Sequence, residues 1–252
     1  MSSVTQRIKE INQPRGGYIN PRSLHYVDLD DGIKLNETEN IHASIVGLAV
    51  DYLSRFVLGA PAEDAFSISL LGARIIGDEH RAFKLLKKIR CLNRRSIIAA
   101  CKLVGYDVCY RASPFQYRPV QAIKPDKFTI KSIQTMVERC IFFFEECGPI
   151  IKDGFTFEGG YTSLVHAGDG DFLTKWALWD LKVPKKPPTK NHTLQLLMYY
   201  LLGIHSVHKE FYDVCRLGIF NPRLNVIYYI DIQEIPALTI YQVSTEVLGY
   251  TV

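Results

Sequence analysis

The 252-residue sequence has no apolar run approaching the roughly 18–20 residues that a membrane helix needs, which excludes a helical membrane protein. No apolar core follows Met1-Ser2-Ser3-Val4-Thr5-Gln6-Arg7, so no signal peptide is expected. The cysteines Cys91, Cys101, Cys109, Cys140, Cys147 and Cys215 never form a C-x-x-C pair. In a chain of this size they read as reduced cytosolic thiols, several on core faces, rather than a zinc site, and a cytoplasmic location is expected. No internal repeat or low-complexity segment is visible. What is present is a globular composition: 47% hydrophobic and 22% charged residues exclude wholesale disorder. The length fits one large domain or two small ones.

Acidic residues are missing from two stretches. Between Arg81 and Lys102 lie Lys84, Lys87, Lys88, Arg90, Arg94 and Arg95, with no Asp or Glu among them. Lys182, Lys185, Lys186 and Lys190 form a second such stretch. The net charge of +4 is too mild to decide what these runs do. They fit either solvated faces or a phosphate-tracking surface, and an independent signal has to choose.

Periodicity predicts a mostly helical region over residues 1–127 and an α/β region over 128–252. Residues 1–38 are polar and read as an irregular or partly extended arm. Helices are expected over 39–58, 62–76, 79–90 and 94–104, where apolar positions recur at 3–4 spacing and Gly59, Gly77 and Gly105 provide stops. A connection over 106–127 carries Pro114, Pro119 and Pro125. Phe128–Cys147 reads as a long helix with Ile133, Val137, Cys140 and Phe144 on one stripe. Strands are expected at 155–165, 171–173 and 177–183, then a helix at 191–205, strands at 215–220 and 225–232, and a helix at 236–248. This α/β order is helix, three strands, helix, strands, helix.

The informative segment runs from Gly168-Asp169-Gly170-Asp171 to Asp180-Leu181-Lys182. Residues two apart in a strand share a face, so Asp180 and Lys182 point the same way. If Lys175-Trp176 is a two-residue turn, antiparallel pairing sets Thr174 opposite Ala177 and Asp171 opposite Asp180. Two carboxylates and an amine then converge. Opposed carboxylates repel unless a cation lies between them, and hard oxygen ligands suit Mg2+ or Mn2+. A nearby lysine can position water and stabilise charge developing on a phosphate. D-x-K alone carries little weight, but here a short loop leads to a helix with Gln195 and Tyr199 four apart on one face.

Together these residues resemble the PD-(D/E)xK nuclease superfamily, and the Q-x-x-x-Y helix is similar to its RecB-like, lambda-exonuclease-like branch. The likeness covers about residues 128–232. It implies a restriction-endonuclease-like αβββαβ core behind a mostly helical N-terminal region. It further implies that Asp171 and Asp180 are metal ligands, that Lys182 is the catalytic lysine and that the Leu181 carbonyl completes the metal shell. Gln195 and Tyr199 would border the site and meet nucleic acid. Gly170 stands where the family's name has proline.

The family often adds an acidic residue from the helix before the first strand, here Glu138, Glu145 or Glu146. A strand over 155–165 would travel about 33 Å towards the site. That favours Glu138, roughly 15 Å nearer the site than the helix end, as a further catalytic and metal ligand. Lys185, Lys186, Arg94 and Arg95 are the expected backbone contacts. His166 reads as a turn residue, and Trp176 and Trp179 as packing. The expected activity is Mg2+-dependent hydrolysis of DNA, exo or endo. Nucleic acid is the partner and a membrane is not, while a homo-oligomer or protein partner stays open. The rival is a catalytically silent nuclease fold that binds nucleic acid or a protein, for example in phage defence or a mobile element.

Overall fold

The computed structural model describes residues 2–251. In chain order the elements are β1 (Ser2–Ser3), α1 (Val4–Glu10), β2 (His25–Asp28), α2 (Ala43–Val57), α3 (Ala62–Ala65), α4 (Ser67–Ile75), α5 (Glu79–Leu86), α6 (Arg94–Leu103), α7 (Asp107–Arg111) and α8 (Lys127–Glu146). They continue with β3 (Ile150–Phe155), β4 (Val165–Ala167), β5 (Gly170–Thr174), β6 (Ala177–Leu181), α9 (Lys190–Ile204), β7 (Arg216–Asn221), β8 (Val226–Asp231) and α10 (Ala237–Gln242). The chain is mixed α/β and divides into two compact units. Residues up to Asp31 belong with those from Phe144 onward, and Gly32–Phe143 form the other unit.

This division corrects the expected boundary at residue 127. The polar arm is irregular over much of its length and extended at β2, but it also holds a helix: Ser3 caps α1 by accepting from the Gln6 amide at 3.2 Å, and the Gln6 side chain answers on the Ser3 amide at 2.9 Å. Val4 and Ile8, one helical turn apart, are buried in the same core as α9. Two apolar residues in one short helix are too few to show a period in sequence.

The first unit is built on a six-stranded sheet in the order β2-β8-β7-β6-β5-β3, with β6 and β7 parallel and the other pairs antiparallel. A parallel pair needs a crossover, and α9 lies in the connection between β6 and β7. That helix is apolar nearly all round, as a helix buried on most of its surface must be. Leu194, Leu196, Leu197, Met198, Leu201 and Leu202 are all buried, in one core with Leu173, Leu178, Leu217 and Ile219 from the sheet. Thr189 and His192 close a capping box at its start.

The expected strand over 155–165 is overturned. β3 ends at Phe155, the chain turns at Glu158–Gly160, and β4 holds only three residues. Gly159 has φ +83°, a left-handed value unsuited to a continuous strand, and a Cβ on Gly160 would overlap the Leu202 carbonyl. The expected final helix is present over 237–248, with α10 passing without a break into a π-helical stretch over Val243–Leu248 that stops at Gly249 (φ +82°).

The second unit is helical. Asn93 caps α6 by accepting from the Ser96 amide at 2.9 Å. Tyr52, Phe66, Ile97, Leu103 and Tyr106 fill its core. Asp107 is buried there, accepting from the Tyr52 hydroxyl at 2.6 Å and from Ser69, with Arg111 at 3.5 Å. Burial pushes the Asp107 carboxyl up, while these partners oppose the shift.

Candidate active site

The site lies in the first unit, at the hairpin of β5 and β6. Lys175-Trp176 is the two-residue turn, and the strands pair with Phe172 opposite Trp179 and Leu173 opposite Leu178. Continuing that register sets Asp171 opposite Asp180, as the turn length predicts. The Trp179 indole donates to Thr174 Oγ1 at 3.2 Å and the Thr174 hydroxyl donates to the Ala177 carbonyl at 3.3 Å, locking the turn end. Trp179 is therefore core packing, while Trp176 is 55% exposed beneath the Lys175 ammonium.

At the other end, Asp171 Oδ2 accepts from the Leu181 amide at 2.8 Å. The Lys182 amide donates to the Phe220 carbonyl at 3.0 Å, extending the β6–β7 ladder past Leu181. Asp180 and Lys182 thus keep one face, and Lys182 Nζ lies 2.7 Å from Asp180 Oδ2 and 2.9 Å from Oδ1. The Asp180 side chain is only 3% exposed, so this ammonium offsets a buried negative charge.

Gly170 precedes Asp171 for a steric reason: a Cβ there would overlap the Phe155 ring on the neighbouring strand. Tyr161 braces the approach, its hydroxyl accepting from the Phe157 amide at 3.1 Å and donating to the Gly168 carbonyl at 3.0 Å.

α9 presents Gln195 and Tyr199 to this patch. The Gln195 amide donates to the Tyr199 hydroxyl at 2.9 Å, and the Tyr199 ring stacks on Phe157 at 5.0 Å between centroids. Burial first, then the negative charges of Asp180, Asp171 and Asp169, push the Tyr199 phenol well above its ordinary range. It is a neutral hydrogen-bonding group at any working pH. Sequence reasoning passed over His192, which lies three residues before Gln195 and on the same face. Burial and the Lys182 charge lower its pKa to about 4, so it is neutral, and Nδ1 accepts from the Thr189 amide at 3.2 Å. The 192/195/199 spacing was the available signal. The N-terminal arm also went unseen: a Cβ on Gly168 would meet Val4 at 2.9 Å and the Tyr199 ring at 3.3 Å.

Lys185 and Lys186 are exposed on the loop after β6. That loop is held by Asn221 Nδ2 donating to the Pro184 carbonyl and by Arg223 Nε donating to the Val183 carbonyl, each at 2.9 Å. Arg94 and Arg95 open α6 in the other unit. Glu138 also lies in that unit, at an exposed position on α8 where Oε1 accepts from the Gln134 amide at 2.8 Å. The strand length that favoured Glu138 does not exist, because β3 ends at Phe155.

Among the described residues no group of three or more His, Cys, Asp or Glu side chains could hold a metal ion. The donors that do converge are two carboxylates on opposed positions of one hairpin. That hard-oxygen set fits Mg2+, which is held by one or two carboxylates and keeps several waters. The six thiols form no disulfide, and burial pushes those of Cys101 and Cys140 up to about 12, so neither is reactive. No helix among the described residues is long and apolar enough to cross a membrane. No family model matches the chain, and no match was found among curated proteins or solved structures.

Proposed function

We propose that the protein is a metal-dependent nuclease that hydrolyses DNA phosphodiester bonds, with a restriction-endonuclease-like core of the RecB-like PD-(D/E)xK type. The observation that carries this reading is the β5–β6 register, which sets Asp171 against Asp180 with the Lys182 ammonium on both Asp180 oxygens. The order α8, β3, β5, β6, α9, β7 supports the fold assignment.

Asp171, Asp180 and the Leu181 carbonyl would hold Mg2+ or Mn2+. When bound, such an ion neutralises phosphodiester charge and lowers the pKa of water. The chain's own contribution is positional. The Leu181 amide fixes the Asp171 carboxylate. Lys182, anchored on Asp180, presents an ammonium that orients the attacking water and stabilises negative charge gathering on the phosphate. Gln195 and the neutral Tyr199 form a hydrogen-bonded edge for the nucleic acid, and Lys185 and Lys186 lie on the loop that follows β6.

The test is cleavage of linear and circular DNA, single- and double-stranded, with Mg2+, Mn2+ or EDTA, alongside Asp180→Ala and Lys182→Ala. Metal-dependent cutting that both variants abolish is expected, and the linear-versus-circular comparison separates exo from endo action. No cutting of any substrate, with unchanged DNA binding, would transfer the assignment to a silent nucleic-acid-binding fold. The two-carboxylate count, with Glu138 hydrogen-bonded elsewhere, is the observation that favours this second reading.

A further inference from the structure

The helical unit carries a groove of about 390 Å³ between α5 and α6, lined by Lys88, Arg94, Arg95 and Lys102 around a floor of Leu85, Ile98 and Ala99. We propose that this groove binds the phosphate backbone of a nucleic-acid strand, independently of any metal and of the carboxylate site.

Three observations carry the proposal. Among the described residues none of the four cationic side chains has a carboxylate partner, whereas Arg55, Arg81 and Arg111 of the same unit pair with Asp51, Asp78 and Asp107. Arg94 and Arg95 occupy the first turn of α6, which holds no acidic residue. Helix dipoles favour negative side chains there, so helix stability does not account for two arginines. Arg95, Ile98, Ala99 and Lys102 share one α6 face, with Leu85 and Lys88 opposite. Arg95 and Lys102 are seven residues apart, about 10 Å along the helix. Measured along a duplex axis, that length covers about three steps of one strand at 3.4 Å of rise each.

A concave channel with charges along its rims suits a strand better than the plane of an anionic bilayer. The choice of nucleic acid over other polyanions rests on the nuclease reading, while the groove as an anion site does not.

The experiment uses the full chain in EDTA, with a fluorescein-labelled duplex, anisotropy titrations from about 50 to 200 mM NaCl, and three proteins. These are wild type, Lys88→Gln/Arg95→Gln/Lys102→Gln, and the charge-matched control Arg118→Gln/Lys124→Gln/Lys131→Gln. The groove variant is expected to lower the slope of log affinity against log salt by about 2.7, at about 0.9 for each phosphate no longer neutralised, and the control by less than about one. Equal slopes for the two variants overturn the proposal. So does wild-type binding to phosphatidylserine vesicles but not to DNA. If the triple variant misfolds by circular dichroism, Arg95→Gln and Lys102→Gln are tested singly, each expected to remove about 0.9. A groove effect without cleavage in Mg2+ removes the nuclease reading alone, and cleavage without a groove effect removes this proposal alone.

Discussion

Replacing Lys182 by methionine keeps the length of the side chain and removes its charge. The Asp180 carboxylate, 3% exposed and 2.7 Å from the lysine nitrogen, is then buried without its cation. Breaking such a pair costs about 3–5 kcal/mol when both partners are buried. The Lys182 side chain is 24% exposed, so water reaches the vacated side and the expected loss is about 3 kcal/mol, the lower end of that range. The two tryptophans, Trp176 and Trp179, both lie on the β5–β6 hairpin, so tryptophan fluorescence reports this unit specifically. In urea with EDTA, about 3 kcal/mol lowers the midpoint by about 1 M at a slope of about 3 kcal/mol/M. Asp180→Asn in the same background neutralises the stranded charge and should restore at least half of the loss. A Lys182→Met midpoint equal to wild type, or a double variant that loses the sum of the two single effects, would refute the claim that the ammonium compensates a buried charge.

Mg2+ should raise the urea midpoint of wild type, by about 2.7 kcal/mol at about a hundred times its dissociation constant, and leave Asp180→Asn unmoved; an equal rise in both would place the ion elsewhere. His192 titrates at about 4 in the fold against an ordinary value near 6.5, because burial and Lys182 disfavour its cation. The unfolded chain therefore takes up the proton first, so stability is fully present above about pH 6.5 and declines as pH falls towards 4. His192→Gln, which keeps an acceptor for the Thr189 amide, should flatten that decline in urea melts run across this window, and an unchanged slope contradicts the assignment. Gly170→Ala drives a methyl into the Phe155 ring and should cost about 1–3 kcal/mol in thermal denaturation, partly recovered by Phe155→Leu. Tyr199→Phe removes the hydroxyl that receives Gln195, a bond worth about 1 kcal/mol, and should slow cleavage by about tenfold or less; Gln195→Ala should add nothing to it, and additive losses would uncouple the pair.

What was legible in the sequence depended on parity. A two-residue turn and a period of two in strands leave one register that opposes Asp171 and Asp180, and the structure adopts it. The same arithmetic carried Asp180 and Lys182 to one face and Gln195 and Tyr199 to one side of α9. Failures came where local pattern was decided by distant partners. Residues 155–165 alternate enough to suggest one strand, but Gly160 lies where the Leu202 carbonyl from α9 leaves no room for a side chain. The paired glycines at 159 and 160 permit a kink or a close backbone approach, but nothing near them in sequence identifies α9 as the neighbour, and once the strand breaks there the geometric case for Glu138 fails with it. The arm before Asp31 failed similarly: Val4 matters because it fits beside Gly168, which is remote along the chain. His192 is the instructive intermediate case, since its face was computable and only its proximity to Lys182 was not. A helix period assigns a side chain to a face, and tertiary packing alone determines which charge that face meets.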